Sequence, residues 1–348
     1  MSSRPHDRLF DLPILSSDPG EVPPIKPGVG ASLPEPSEPE EGAPVTGPKP
    51  LTIVSVDLDD VQCYHAIHGL PPPPEQTDGI ILERCLPRYL ELFDELNVRA
   101  TFFVVGRDLE RDMKAGGKGA KLLRQALAAG HELANHSYGH AYDLSVRPSA
   151  EIFDDLLRCD RLLRQLGANP IGFRAPGYTH DRNLLEQVGA LGYRYDSSRL
   201  PSPMYYLAKL GAIAWMATKG LETVSQKRGW QSFMGPSQPH FMPEVGLWEV
   251  PISVSPGLRL PMVGTFVLSG PRAIAAQAAV RRFLHLELHG LDFADPGSDT
   301  DPGDGFVQAL RKRQPELKVP LKERITRLKA LLIARRGCTS IARAHGWV

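Results

Sequence analysis

Two histidines and a group of aspartates have the spacing of a metal site. His136 and His140 lie four residues apart in the segment 130–140, GHELANHSYGH. On a helical turn, residues four apart share one face, so both imidazoles would point at one metal ion. The segment 52–60, TIVSVDLDD, reads as a buried strand that ends in acid, where open and barrel-like α/β folds keep their chemistry. Two imidazoles and one carboxylate leave a position for water, so together the segments predict a metal-dependent hydrolase.

The elements that must position these residues alternate between strand and helix. The apolar, β-branched and aromatic runs predict strands at 52–58, 100–106, 131–135, 172–174, 193–196, 247–252, 282–289 and 339–341. Amphipathic spacing predicts helices at 86–97, 121–129, 149–163, 184–191 and 320–332. Residues 200–246 break this rhythm. The alternation predicts an α/β fold with a mostly parallel sheet wrapped by helices, as an incomplete barrel.

Composition limits the classes of partner. Of 348 residues, 40 are Lys or Arg and 40 are Asp or Glu, so no overall field favours nucleic acid. The four cysteines form no CxxC pair, and they indicate reduced thiols in a cytosolic protein. We find no signal peptide and no apolar run of membrane-spanning length. We therefore expect a cytoplasmic protein.

The first 49 residues differ from the remainder. They are rich in Pro, Glu, Gly and Ser and carry little apolar surface. Such a segment cannot offset the entropy lost on ordering, so we predict a disordered N-terminal tail over 1–49. One catalytic domain is predicted over 50–348.

Seven motifs, in this order, resemble those of the polysaccharide deacetylases (carbohydrate esterase family 4). They are VDLD at 56–59, ATFF at 100–103, GHE at 130–132, HSYGH at 136–140, FRAPGY at 173–178, YDSS at 195–198 and LH at 284–285. The resemblance implies a distorted, incomplete (β/α) barrel. It also implies a divalent metal, most often zinc, and hydrolysis of an N-acyl group from a sugar.

The resemblance assigns roles to the residues around the metal. His136 and His140 match the two metal-binding histidines. The acidic motif is Asp-x-Asp, so Asp57 resembles the general base and Asp59 the metal ligand. Asp60 leaves a second register open, with Asp59 as base and Asp60 as ligand.

Three further positions match the family's catalytic residues. Arg174 resembles the arginine that orients the base aspartate. Gly177-Tyr178 resembles the turn whose backbone N–H helps to hold the oxyanion. His285 matches the late histidine that acts as general acid, and His289, on the same face of the strand, is its competitor for that role.

The substrate follows only from finer features. The Asp-x-Asp motif and LHLEL at 284–288 look closer to the deformylase of formamidoarabinose-phosphoundecaprenol than to chitin deacetylases. The apolar segment 204–216 could lie on the inner membrane as a peripheral contact and guide a polyprenyl tail, although a buried lid or oligomer contact explains it equally. The expected substrate is an N-acetyl or N-formyl amino sugar, free or lipid-linked. The alternative is a catalytically silent carbohydrate-binding module on the same barrel.

Overall fold

One mainly parallel β-sheet forms the centre of the protein, and helices alternate with its strands. The computed structural model describes residues 50–225, 230–299 and 305–348, without the side chains of 230, 231 and 305–308. The predicted tail over 1–49 lies outside the described residues.

The secondary structure of the described residues comprises nine strands and thirteen α-helices. The strands are β1 (Leu51–Asp57), β2 (Thr101–Val104), β3 (Glu132–Asn135), β4 (Gly172–Phe173), β5 (Tyr195–Asp196), β6 (His240–Met242), β7 (Leu247–Glu249), β8 (Phe283–His289) and β9 (Cys338–Thr339). The helices are α1 (Val61–Ile67), α2 (Leu86–Glu95), α3 (Gly106–Lys114), α4 (Lys118–Ala128), α5 (Ser149–Gln165), α6 (Arg182–Ala190), α7 (Pro203–Thr218), α8 (Trp230–Phe233), α9 (Gly264–Ser269), α10 (Arg272–Ala279), α11 (Gly305–Arg313), α12 (Leu321–Arg335) and α13 (Ile341–Ala344).

The sheet is curled, and among the described residues no strand pairing closes it. Its order is β6-β7-β5-β4-β3-β2-β1-β8, β9 also pairs with β1, and only β6 runs antiparallel to its neighbour. An irregular segment, 250–263, spans the gap with single hydrogen bonds. Ile252 N–H donates to the Arg199 carbonyl, and Ser253 N–H donates to the His285 carbonyl. The predicted α/β fold with an incomplete barrel is therefore confirmed.

β1 lies inside the sheet and directs the site. Ile53, Val54 and Val56 have no exposed surface, as expected for a parallel strand covered on both faces. β1 pairs with β2, with β8 along its whole length, and with β9. Its last residue, Asp57, therefore lies at the carboxyl edge where neighbouring parallel strands also end.

Eight of the thirteen described helices were not predicted: α1, α3, α7, α8, α9, α10, α11 and α13. Two of them, α3 and α7, show different reasons. α3 is mostly charged, so its apolar residues Leu109 and Met113 are too few to give a clear period. α7 lies within the segment 200–246 that lacks an obvious pattern, because it is apolar on nearly every side. The short strand near 339 is confirmed as β9. Among the described residues, no helix is both long enough and apolar enough to cross a membrane.

The buried carboxyl of Asp292, just after β8, makes stability depend on pH. Burial, followed by the nearby Glu316, raises the pKa of Asp292 to about 8. Folded Asp292 keeps a proton that the unfolded chain releases near pH ~4, so this group makes stability fall as pH rises from about 4 to 8. We expect the melting temperature of Asp292→Asn to fall less than that of the wild type between about pH 5 and 8. Calorimetry at a series of pH values measures this, with Asp154→Asn on the exposed face of α5 as control. Parallel curves for the wild type and Asp292→Asn would contradict it.

Candidate metal and catalytic site

The two predicted metal-binding histidines reach the site from a loop. His136 directly follows β3, and its N–H donates to the Val104 carbonyl at the end of β2. Ser137 and His140 have φ values of 63° and 50°, which no helix contains. The Ser137 hydroxyl accepts the N–H of His140 at 2.9 Å and fixes the turn. The expectation of a helical turn is therefore wrong, and a tight loop instead brings the two rings together, with their centroids 4.9 Å apart.

Asp59 completes a group of three donors with these histidines. Its Oδ1 lies 3.1 Å from His136 Nε2 and 3.2 Å from His140 Nε2, and all three residues are buried. His136 Nδ1 donates to the Arg174 carbonyl at 2.8 Å, which leaves the Nε2 lone pair directed at the group. Burial raises the pKa of Asp59, but the two imidazoles outweigh it and hold that pKa well below its ordinary value. An ionised carboxylate between two imidazoles is a donor set that fits a divalent cation.

Buried polar atoms without hydrogen-bond partners also indicate a cation site. In the described residues, Asp59 Oδ1 and both ring nitrogens of His140 are buried without a hydrogen-bond partner, although buried polar groups normally have one. Asp60 faces elsewhere. Its carboxylate accepts the N–H of Val61 and pairs with Arg111. The structure thus brings Asp59, and not Asp60, to the histidines.

Asp57 lies beside this group and is held by Arg174. Arg174 Nη1 donates to Asp57 Oδ1 at 2.5 Å, while Asp57 Oδ2 lies 3.7 Å from His136 Nε2. The guanidinium is fully buried, donates to the Ser197 carbonyl and hydroxyl at 2.9 Å each, and lies 4.1 Å above the Phe103 ring. A guanidinium fixed on several sides holds one oxygen of the aspartate and leaves the other facing the metal-binding group.

Glu287 is a second buried carboxyl beside Arg174, and the sequence alone suggested no catalytic role for it. Its two oxygens each accept from the Tyr178 hydroxyl at 3.0 Å, and Oε1 lies 3.5 Å from Arg174 Nη1. Burial raises the pKa of Glu287 well above its ordinary value. Oxygens of Asp57 and Glu287 and a ring nitrogen of His289 lie within 4.8 Å of one another. The sequence feature that could have indicated this group is the two-residue spacing of Glu287 and His289, which places both side chains on one face of β8.

The Gly177-Tyr178 turn has left-handed backbone conformations. Gly177 and Tyr178 have φ values of 60° and 59°. A Cβ on Gly177 would lie 2.6 Å from the Tyr142 ring, so this position requires glycine. The Tyr178 N–H donates to the Ala175 carbonyl at 3.1 Å within the turn. Its predicted role at the oxyanion stays a prediction.

The structure separates the two histidines of β8. His285 is fully enclosed, and its Nδ1 donates to the Pro251 carbonyl at 3.1 Å. Its Nε2 accepts from the Ser55 hydroxyl at 3.0 Å and from Arg174 Nη2 at 3.3 Å. Burial, aided by Arg174, holds the pKa of His285 well below its ordinary value. Both ring nitrogens are thus used in hydrogen bonds within the protein. His285 pairs with Ile53 in the β1–β8 register, further inside the sheet than Asp57.

His289 lies level with Asp57, its partner in the β1–β8 register. Its side chain is 21% exposed, and its Nε2 lies 4.0 Å from Glu287 Oε1. A ring nitrogen accepts the N–H of Asp292, so the neutral ring carries its hydrogen on the other nitrogen. Of the two histidines, His289 is therefore the one next to the carboxyls of the site.

Comparisons with known proteins agree with the motifs. Residues 77–195 match the family model described as polysaccharide deacetylase. This match supports the resemblance of the chain to the polysaccharide deacetylase family. The matched segment contains His136, His140, Arg174 and Tyr178, whereas the acidic motif and β8 lie outside it. The formamidoarabinose deformylase branch stays a prediction.

Individual relatives are similar over part of their length. A peptidoglycan deacetylase from Helicobacter pylori is 28% identical over 151 residues, which are 42% of this chain and 49% of the relative. A chitooligosaccharide deacetylase from Bradyrhizobium is 36% identical over 94 residues, 26% of this chain and 39% of the relative. The chain thus spans about half or less of the length of these relatives. A 4-alpha-glucanotransferase from Thermococcus litoralis, 11% identical, shares the fold with a TM-score of 0.50 over 86% of this chain and 38% of its own.

Proposed function

We propose that this chain is a metal-dependent N-deacetylase of amino sugars of the peptidoglycan or chitin type. The observation that carries the proposal is the convergence of Asp59, His136 and His140 beside the Asp57–Arg174 pair. Buried donors without partners suit a cation, and a buried carboxylate beside them suits a base. The deacetylase relatives agree with this reading.

Asp59, His136 and His140 would hold the cation, for which we propose zinc. When bound, a divalent cation supplies a Lewis acid for the amide carbonyl and lowers the pKa of water. Asp57 Oδ2 takes a proton from the attacking water, because Oδ1 is occupied by Arg174. Arg174 keeps this carboxylate in one orientation throughout.

We assign the proton donor to His289 and not to His285. The departing nitrogen needs a hydrogen from a group that reaches the substrate. His289 borders the carboxyls and is partly exposed, whereas His285 has no exposed surface and uses both ring nitrogens for hydrogen bonds within the protein. A backbone N–H of the Gly177-Tyr178 turn is the proposed oxyanion donor, and the Tyr178 N–H would have to release the Ala175 carbonyl to act in this way. The Tyr178 hydroxyl and Glu287 bond each other and so position the turn against β8.

The acyl group and carrier are finer proposals. We propose that N-formyl and lipid-linked sugars are also substrates, and that α7 contacts the inner membrane from the cytoplasmic side. α7 begins at the site, where the Tyr205 and Tyr178 rings lie 5.5 Å apart. Its outer face exposes Met204, Leu207 and Trp215. A helix with exposed apolar side chains can lie in the lipid headgroup region.

Activity assays test the function directly. Purified protein is incubated with N-acetyl and N-formyl amino sugars, free, polymeric and polyprenyl-linked, and the released acetate or formate is measured. Release that a chelator abolishes and zinc restores is the expected result. Sugar binding without release would favour the silent carbohydrate-binding module.

Loss of one donor should remove the metal. We expect His136→Ala to retain well under one equivalent of metal and to lose activity, because two protein donors bind zinc far more weakly than three. Metal analysis of the purified variant measures this. His240→Ala, a partly exposed histidine on β6, is the control. A full equivalent of metal in His136→Ala would disprove the site.

A further inference from the structure

A cavity of about 520 Å³ opens beside the candidate metal site. His140 and Tyr142 lie in its wall, and the two rings contact each other with centroids 5.2 Å apart. One side is apolar, formed by Leu70, Pro72 and Pro73. Because His140 belongs to both the cavity and the metal-binding group, a substrate whose amide lies at the metal would extend into this space.

Two arginines enter the cavity wall from different parts of the fold. Arg107 lies at the start of α3, and Arg147 precedes α5. Asp143 is the one carboxylate among the described residues that line the cavity, and it accepts from Arg147 Nη2 at 2.8 Å. The lining therefore has a net positive charge, even with this pair counted.

Arg107 has weak partners for an arginine. Its Nη2 lies 3.9 Å from Cys63 Sγ, and its Nε lies 3.4 Å from Asp108 Oδ1. That carboxylate oxygen is shared with Arg111, also at 3.4 Å. The Arg107 and Arg147 side chains are 40% and 38% exposed. Partly exposed guanidinium groups with long or single contacts keep N–H donors for a ligand.

We propose that Arg107 and Arg147 form a subsite for an anionic group, phosphate or carboxylate, carried by the N-acyl amino sugar. This rests on the proposed function, since it places the amide at the metal. The planar N–H donors of arginine match phosphate and carboxylate oxygens. The apolar wall leaves room for the sugar ring, while the arginines select its charged substituent.

Binding is measured by calorimetry on the full chain with three probes. N-acetylglucosamine 1-phosphate carries a phosphate, N-acetylmuramic acid carries a carboxylate, and methyl N-acetylglucosaminide is neutral. Because a bound cation would itself attract an anion, the variants and not the wild type alone decide. We expect Arg107→Gln and Arg147→Gln each to weaken binding of at least one anionic probe by about ten- to a hundredfold and to leave the neutral probe unchanged.

Two further variants and a control test whether the effects on binding are indirect. Arg107→Lys should restore part of the affinity because it keeps the charge, and Asp143→Asn should tighten anion binding by removing the competing carboxylate. Arg182→Gln, on the outer surface of α6 and 72% exposed, is the matched control. Comparing the two anionic probes shows whether phosphate or carboxylate is preferred.

The outcomes separate the subsite from the enzyme activity. Anion binding that depends on the arginines supports the subsite even if no probe is hydrolysed, in which case the proposed function fails alone. Equal binding of all probes, or anion binding that the arginine variants do not change, overturns the subsite even if the neutral sugar is deacetylated. Absence of anion binding overturns it as well.

Discussion

Asp57→Asn is expected to keep a full equivalent of metal and to lose kcat by at least about 100-fold. The amide cannot take a proton from water, but it keeps the shape of the carboxylate beside Arg174. Metal should remain because Asp59, and not Asp57, lies between the two histidines. Metal analysis and kcat on one amide substrate, measured on the same preparation, check both statements.

Asp60→Asn is the matched control for this variant. Asparagine still accepts the N–H of Val61 at the start of α1, so metal content and kcat should stay close to those of the wild type. Metal loss in Asp57→Asn would transfer the ligand role to Asp57. Metal loss in Asp60→Asn would instead favour the register in which Asp60 is the ligand.

The second large effect is expected at β8. His289→Ala should lower kcat by about 100-fold or more, the usual scale for acid–base catalysis, with a smaller change in KM. His285→Gln should chiefly lower the melting temperature. Its amide can satisfy only part of the pattern in which His285 accepts from Ser55 and Arg174 and donates to the Pro251 carbonyl. kcat, KM and thermal unfolding of both variants are the measurements.

The opposite result would return the role to His285, which the motif resemblance favoured. It would consist of a large fall in kcat for His285→Gln at an unchanged melting temperature, together with near-normal kcat in His289→Ala. His180→Gln, a buried histidine on another loop, controls for the general cost of changing an enclosed imidazole.

Local sequence determined the parts of the site that a single segment builds. An apolar strand that ends in Asp57 and Asp59 brings carboxylates to the edge of a parallel sheet wherever that strand lies. His136 and His140 are close enough in the chain that a tight turn suffices to bring them together. The alternation of strands and helices likewise predicted the incomplete barrel, because parallel strands need crossover connections.

Tertiary structure decided everything that depends on contacts between distant segments. The Leu-His step occurs at both 284–285 and 288–289, and the family resemblance favoured His285 over His289. The pairing of Asp57 with His289 settled their positions, because it leaves His285 two same-face positions earlier on β8, level with Ile53, where its ring meets the Ser55 hydroxyl. The burial of Glu287 beside Arg174 and the entry of Arg107 and Arg147 into one cavity depend equally on packing between separate elements. A local pattern fixes which face of a strand a side chain occupies, but only the packed sheet fixes what that face meets.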